Sequence, residues 1–177
     1  MTKREMTEIF AALRLAYPNS KMFEGGIKTL KPTIELWTAS LQDVDFAISQ
    51  RALYRVLREC KYPPTIAEFR AAAEAEEAEI KSLASKAIDS IRLHFMLSKT
   101  TQGLDADPVT QRAIDLLGGP EMLYIRGDTA DRWRWDDFRA AFRSAYLGTS
   151  AAPQFTNRER GNLLEEKHRT YSDSDRT

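Results

Sequence analysis

The sequence predicts an all-α protein: a compact N-terminal helical bundle, a second helical segment and a disordered C-terminal tail. Three observations predict it. Apolar residues recur at spacings of three and four through most of the chain, no period-two run of useful length appears, and strong helix starts and stops punctuate the pattern. A chain of 177 residues can bury one good core, or a small core beside a second compact segment and a tail.

The first helix starts at Thr2-Lys3-Arg4-Glu5, a capping box in which hydroxyl and carboxylate satisfy each other's backbone donors. Met6, Ile9, Phe10, Leu13 and Tyr17 form its stripe, and Pro18-Asn19-Ser20 ends it. A loop through Gly25 and Gly26 leads to Pro32, placed in the first turn of a second helix whose stripe is Ile34, Trp37 and Leu41. Asp43 is the expected cap of a third helix, with Phe46, Leu53 and Leu57 on one face and Ala52 and Val56 beside them. Lys61-Tyr62-Pro63-Pro64 breaks that helix, and Thr65-Ile66-Ala67-Glu68 is a second capping box.

From Ile66 the pattern runs helical to about Leu97, but Ala71 to Glu79 is alanine and glutamate with almost nothing to bury, so a domain boundary is expected there. The expected divisions are residues 1–75, 76–148 and 149–177. Ile80, Ala84, Ala87, Ile91 and Phe95 repeat as in a helix lying along another helix. Asp107-Pro108 starts a helix to Leu117, and Gly118-Gly119-Pro120 stops it before a short turn around Met122, Leu123 and Ile125, ending near Gly127. The last helix, about Asp131 to Leu147, turns Trp135, Phe138, Phe142 and Tyr146 inward and ends at Gly148. After Gly148 the chain turns small and polar, and Tyr171 to Thr177 lacks apolar periodicity.

Charge and residue types narrow the function. The 26 basic and 26 acidic residues balance, so the chain lacks the excess positive charge of a protein that grips many phosphates. Cys60 is the single cysteine and His94 and His168 the two histidines, so no metal-ligand spacing exists and no disulfide closes within the chain. No phosphate-binding glycine loop with its lysine and no Ser/His/Asp or Cys/His signature is present. The expectation is a protein that is not an enzyme, with no catalytic, cofactor-binding or metal-binding residues, no cofactor and no membrane partner, working in the cytoplasm of a bacterial host cell.

Leu36-Trp37, then Leu41-Gln42-Asp43 with Phe46, Ala52 and Leu53, then Tyr62-Pro63-Pro64-Thr65-Ile66-Ala67-Glu68-Phe69 together resemble a phage family, the replicative helicase loaders and inhibitors. The opening Thr2-Lys3-Arg4-Glu5 and Tyr17-Pro18 belong to the same likeness, which covers about residues 1–75 and is most specific at the Tyr-Pro-Pro-Thr block. The resemblance implies a helical N-terminal domain, a flexible C-terminal part that contacts a hexameric replicative helicase, and delivery of that helicase to an origin-bound phage protein. Ile80 to Leu147 departs from this picture, being patterned for order and carrying two tryptophans.

The expected function is therefore a non-catalytic phage replication protein that binds, inhibits and loads the helicase, with weak or no direct DNA binding. The alternatives are a DNA-binding replication or regulatory protein, or an inhibitor of another host factor. Candidate partner-binding residues fall in two groups. Tyr62, Pro63 and Pro64 form a stiff segment that loses little entropy on docking, although a turn between packed helices is the plainer account. Arg132, Arg139 and Arg143 line one side of the last helix beside its aromatic stripe, with Asp136 placed to pair with them, and Trp133 falls off the apolar face as a candidate anchor. Glu74, Glu76, Glu77 and Glu79 are expected to be a solvated face, and His94 to be structural.

Overall fold

The structure is a computed structural model that describes residues 1–25, 27–124 and 132–148, and of residues 27, 28 and 132–134 the backbone alone. The described residues are all-helical: α1 (Lys3–Ala16), α2 (Ile27–Ser40), α3 (Phe46–Glu59), α4 (Ile66–Ser98), α5 (Pro108–Leu117) and α6 (Arg132–Leu147), with short 3-10 turns at Lys21–Phe23 and Pro120–Met122. The expected tail, residues 149–177, and the positions of Ile125 and Gly127 lie outside the described residues. The chain forms two compact units, one from Met1 to Ser90 and the other beginning at Ile91.

In the first unit the capping boxes start their helices as the residue types require. Thr2 Oγ1 accepts the Glu5 amide at 3.3 Å and Glu5 Oε2 accepts the Thr2 amide at 2.6 Å, and Thr65 and Glu68 repeat the exchange at 3.2 and 2.7 Å. α1 buries Met6, Ile9, Phe10 and Leu13, packing on α2 and α3. Trp37 is the hub: its ring meets Phe10 of α1 edge-on at 5.2 Å and Phe69 of α4 at 5.6 Å. Such edge-to-face contacts add to the burial of three large rings.

Two expectations are corrected here. Pro32 lies inside α2, not in its first turn, because the apolar row starts earlier, at buried Leu30, and runs through Ile34 and Trp37 to Leu41. The missing proline donor falls on an exposed face. Asp43 does not cap α3; Asp45 occupies the N-cap, without a side-chain capping bond. The Asp43 carboxylate instead accepts both terminal nitrogens of Arg70 at 2.8 and 2.9 Å, and Arg70 also donates to the Ser40 carbonyl. This two-pronged, charge-assisted bond ties α4 to the end of α2.

α4 runs without a break through the alanine and glutamate stretch. Phe69, Ala72, Ala73, Glu76 and Ile80 are buried along one row, so the stretch that looked empty is a packing face that uses small residues for close approach. The compact units part farther along, between Ser90 and Ile91.

In the second unit α5 and α6 pack on each other. Asp107 accepts the Val109 and Thr110 amides at 3.0 and 3.1 Å, Pro108 follows in the first turn, and Gly118 ends α5 at φ 97°, where a side chain would be strained. The Gly119 amide reaches back to the Ile114 carbonyl at 3.0 Å, closing the left-handed stop. Ala113, Ile114 and Leu117 face Phe138, Ala141, Phe142 and Ala145 as the buried rows of the pair. Trp135, Phe138, Phe142 and Tyr146 form a ladder with ring centroids 6.0 to 6.3 Å apart.

Candidate protein-interaction surface

α1 gives its strongest apolar row to the core, and the row beside it is small. Thr7 and Ala11 occupy positions where a larger residue would fill the space against α2. What remains is an open groove of about 630 Å³ lined by Thr7, Phe10, Ala11, Arg14, Leu15, Pro18, Leu30 and Ile34. Its size falls within the range of ligand-binding clefts. Leu15 at its rim is 84% exposed. Arg14 is the single charged lining residue and makes no ion pair with any described residue. The groove thus offers apolar surface and one uncommitted cation.

The proline segment divides by residue. Pro64 is buried and Pro63 half-buried, which makes them part of the joint between α3 and α4. Tyr62 is 71% exposed, and Lys61 Nζ lies 5.7 Å from the centre of its ring. Before the break, the Tyr17 hydroxyl donates to the Cys60 carbonyl at 2.9 Å, satisfying a group that the end of α3 leaves open. Burial, with Glu68 and Glu59 nearby, raises the Cys60 thiol above its ordinary pKa, so it stays protonated and unreactive at neutral pH.

On α6, Arg139 Nη1 donates to Asp136 at 2.7 Å, and Arg143 is half-buried and engaged with neighbouring groups. The side chains of Arg132 and Trp133 lie outside the described residues. Tyr62, Pro63 and Pro64 belong to one compact unit and the α6 arginines to the other.

The sequence reading missed a charged cluster. Glu76 is buried, with its side chain 5% exposed, and its two oxygens accept Arg51 Nε and Arg55 Nε at 2.8 Å each. Arg55 also donates to Glu79 at 3.0 Å. Burial pushes the Glu76 carboxyl up, but the hydrogen bonds and charges of the two arginines outweigh it and hold the group below its ordinary pKa. Glu76 belongs to the row of Phe69, Ala72, Ala73 and Ile80, but the arginines that enclose it stand on α3. His94 Nε2 lies 3.1 Å from the Gln102 carbonyl; that oxygen only accepts, so the nitrogen carries the hydrogen and the ring ties the end of α4 to the following loop.

Among the described residues no group of His, Cys, Asp and Glu side chains could hold a metal ion, and no helix is long and apolar enough to cross a membrane. The described residues thus form a helical protein with an open apolar groove on its first unit.

Residues 1–70 match the family model of the gene 39 protein N-terminal domain, from a family of phage helicase inhibitors and loaders. The match spans α1, α2, α3 and the start of α4, bearing out the likeness seen in the sequence. The match covers 70 of the 177 residues and makes that stretch similar to a domain of phage helicase-associated replication proteins. Searches of curated proteins and of solved structures gave no match.

Proposed function

We propose that the chain is a non-catalytic adaptor of phage DNA replication that binds a hexameric replicative helicase, holds it inactive and delivers it to an origin-bound phage protein in the host cytoplasm. The observation that carries this reading is the coincidence of the matched residues 1–70 with the helices that form the groove beside Arg14 and Leu15. A groove with an apolar floor and one free cation suits an amphipathic helix bearing a carboxylate, a common mode of protein docking. The first unit in this reading holds one partner and the second unit, or the segment after it, holds the helicase. The alternative in which the α6 arginines grip DNA is weakened by the pairing of Arg139 with Asp136.

Light scattering after size exclusion, on the full chain mixed with a cognate hexameric helicase at tens of micromolar, tests the proposal. That range detects an interaction worth about 7 kcal/mol. A co-eluting assembly heavier than the hexamer, with suppressed helicase ATPase activity, is expected. Separate elution overturns the proposal and leaves an inhibitor of another host factor as the surviving account.

A further inference from the structure

The exposed side of α3 carries a feature that the helicase reading does not use. Gln50, Tyr54 and Arg58 follow one another at helical spacing on the solvent side, opposite the buried Ile48, Ala52 and Val56. Just past the helix end come Lys61 and Tyr62, both exposed. Tyr54 is 67% and Tyr62 71% exposed. Arg58 makes no ion pair among the described residues, and the contact found for Lys61 is with the Tyr62 ring.

The acidic residue within this span, Glu59, and Glu68 and Glu76 beyond it have partners of their own. Glu59 reaches Arg55 at 3.8 Å, Glu68 is held by Thr65, and Glu76 lies buried between Arg51 and Arg55. Two exposed aromatic rings flank two cations, Arg58 without an ion pair among the described residues and Lys61 beside the Tyr62 ring, on a chain whose overall charge is zero. The other large apolar residues exposed on this unit, Leu15 and Leu36, stand on α1 and α2, so the strip itself presents only aromatic, cationic and polar side chains.

We infer that Tyr54, Arg58, Lys61 and Tyr62 form a binding strip for single-stranded nucleic acid, with the tyrosines as stacking platforms and the cations on the phosphates. Each ring presents a face to an unstacked base, and any base serves, so binding is tolerant of sequence. Duplex DNA hides its base faces and would meet the two cations alone. The distance along the chain suits a short contact: five residues at helical rise carry Tyr54 to Glu59 in about 7.5 Å, and three non-helical residues lead on to Tyr62, room for a few nucleotides. The site is thus a weak, local one, compatible with a neutral protein.

The test is fluorescence anisotropy of a labelled oligothymidylate of roughly 20 nucleotides, longer than the site of one small domain, titrated with the full chain at low salt. Saturable binding is expected, with a log–log salt slope of about −1.4 for two phosphates. Tyr54→Ala and Tyr62→Ala should each weaken it by about fivefold or more, while Tyr54→Phe with Tyr62→Phe keeps it, because stacking needs the ring and not the hydroxyl. Arg58→Gln should reduce the slope by about 0.7, a readout that a folding defect would not produce. No binding, equal binding of the matching duplex, or binding indifferent to the alanine variants overturns the inference. So does preference for a glutamate-rich peptide over the oligonucleotide, which would make the strip an acidic-protein site. Loss of oligonucleotide binding without loss of the helicase complex, or the reverse, separates this inference from the proposed function.

Discussion

The two compact units hold together by different means. In the first, ion pairs join helices distant in sequence: Lys3 to Glu35 at 2.6 Å, Asp43 to Arg70, and Arg51 and Arg55 to Glu76. In the second, the ion pair seen is local, Asp136 with Arg139 on α6, and the work of cohesion falls to the aromatic ladder of α6 packed on α5. Aromatic burial supplies energy but little orientation, whereas a buried carboxylate between two arginines penalises every register but one. The first unit, which carries the family match, is the one with polar registration.

The sharpest way to break this comparison is to empty each core in turn. Phe69 and Phe138 are both fully buried, so Phe69→Ala and Phe138→Ala should each cost about 3 to 5 kcal/mol. Peptide-resolved hydrogen exchange should show the loss confined to α1, α2, α3 and the first part of α4 for the former, and to α5 and α6 for the latter. If either change lowers protection in both units equally, they unfold as one and the comparison fails.

A smaller effect sharpens it. Glu76→Ala leaves Arg51 and Arg55 without their shared acceptor and should cost about 2 kcal/mol, the value of hydrogen bonds to a charged group. Arg51 is 39% exposed along its side chain and can turn to water, which keeps the loss below that of a fully trapped charge. Chemical denaturation of wild type and variant measures it. A variant as stable as wild type would show that the cluster contributes nothing to registration.

Glu76 also shows where the sequence was readable and where it was not. Helix starts were legible because a capping box or an Asp-Pro pair is local chemistry: Thr2 to Glu5, Thr65 to Glu68 and Asp107-Pro108 all perform as their spacing implies. The apolar stripes through Met6, Trp37, Ala52 and Phe138 were legible for the same reason, periodicity being a property of one helix. What failed depended on a second helix. Asp43 looked like a cap until Arg70 was brought beside it, and Glu76 looked solvated until Arg51 and Arg55 of α3 enclosed it. The groove arises where small side chains of α1 meet α2, and no single-helix pattern announces a space between two. Tyr62 was singled out from sequence and Tyr54 was not, its exposure becoming informative beside Arg58 and Lys61.

The smallest expected effect concerns acid. The Asp43 carboxyl is lowered from 3.8 to about 2, chiefly by its hydrogen bonds from Arg70 and then by its own backbone amide, against a weaker opposing effect of burial. A depressed acid contributes stability above its ordinary pKa and loses it as pH falls through the folded value. The Asp43–Arg70 contribution should therefore be complete above about pH 4 and vanish near pH 2. Glu5, Glu35, Glu68 and Glu76 are lowered as well, so the first unit as a whole should weaken in the same direction, while in the second Asp107, held down by Thr110 and the amides of its helix start despite burial, acts alone among the described shifts. Thermal melts of wild type and Asp43→Asn from pH 7 to pH 2 should show a gap that is widest above about pH 4 and closes in acid. A gap of constant width would mean that Asp43 holds Arg70 by shape and hydrogen bonding with no net help from its charge, and that polar registration in the first unit does not require ionised partners.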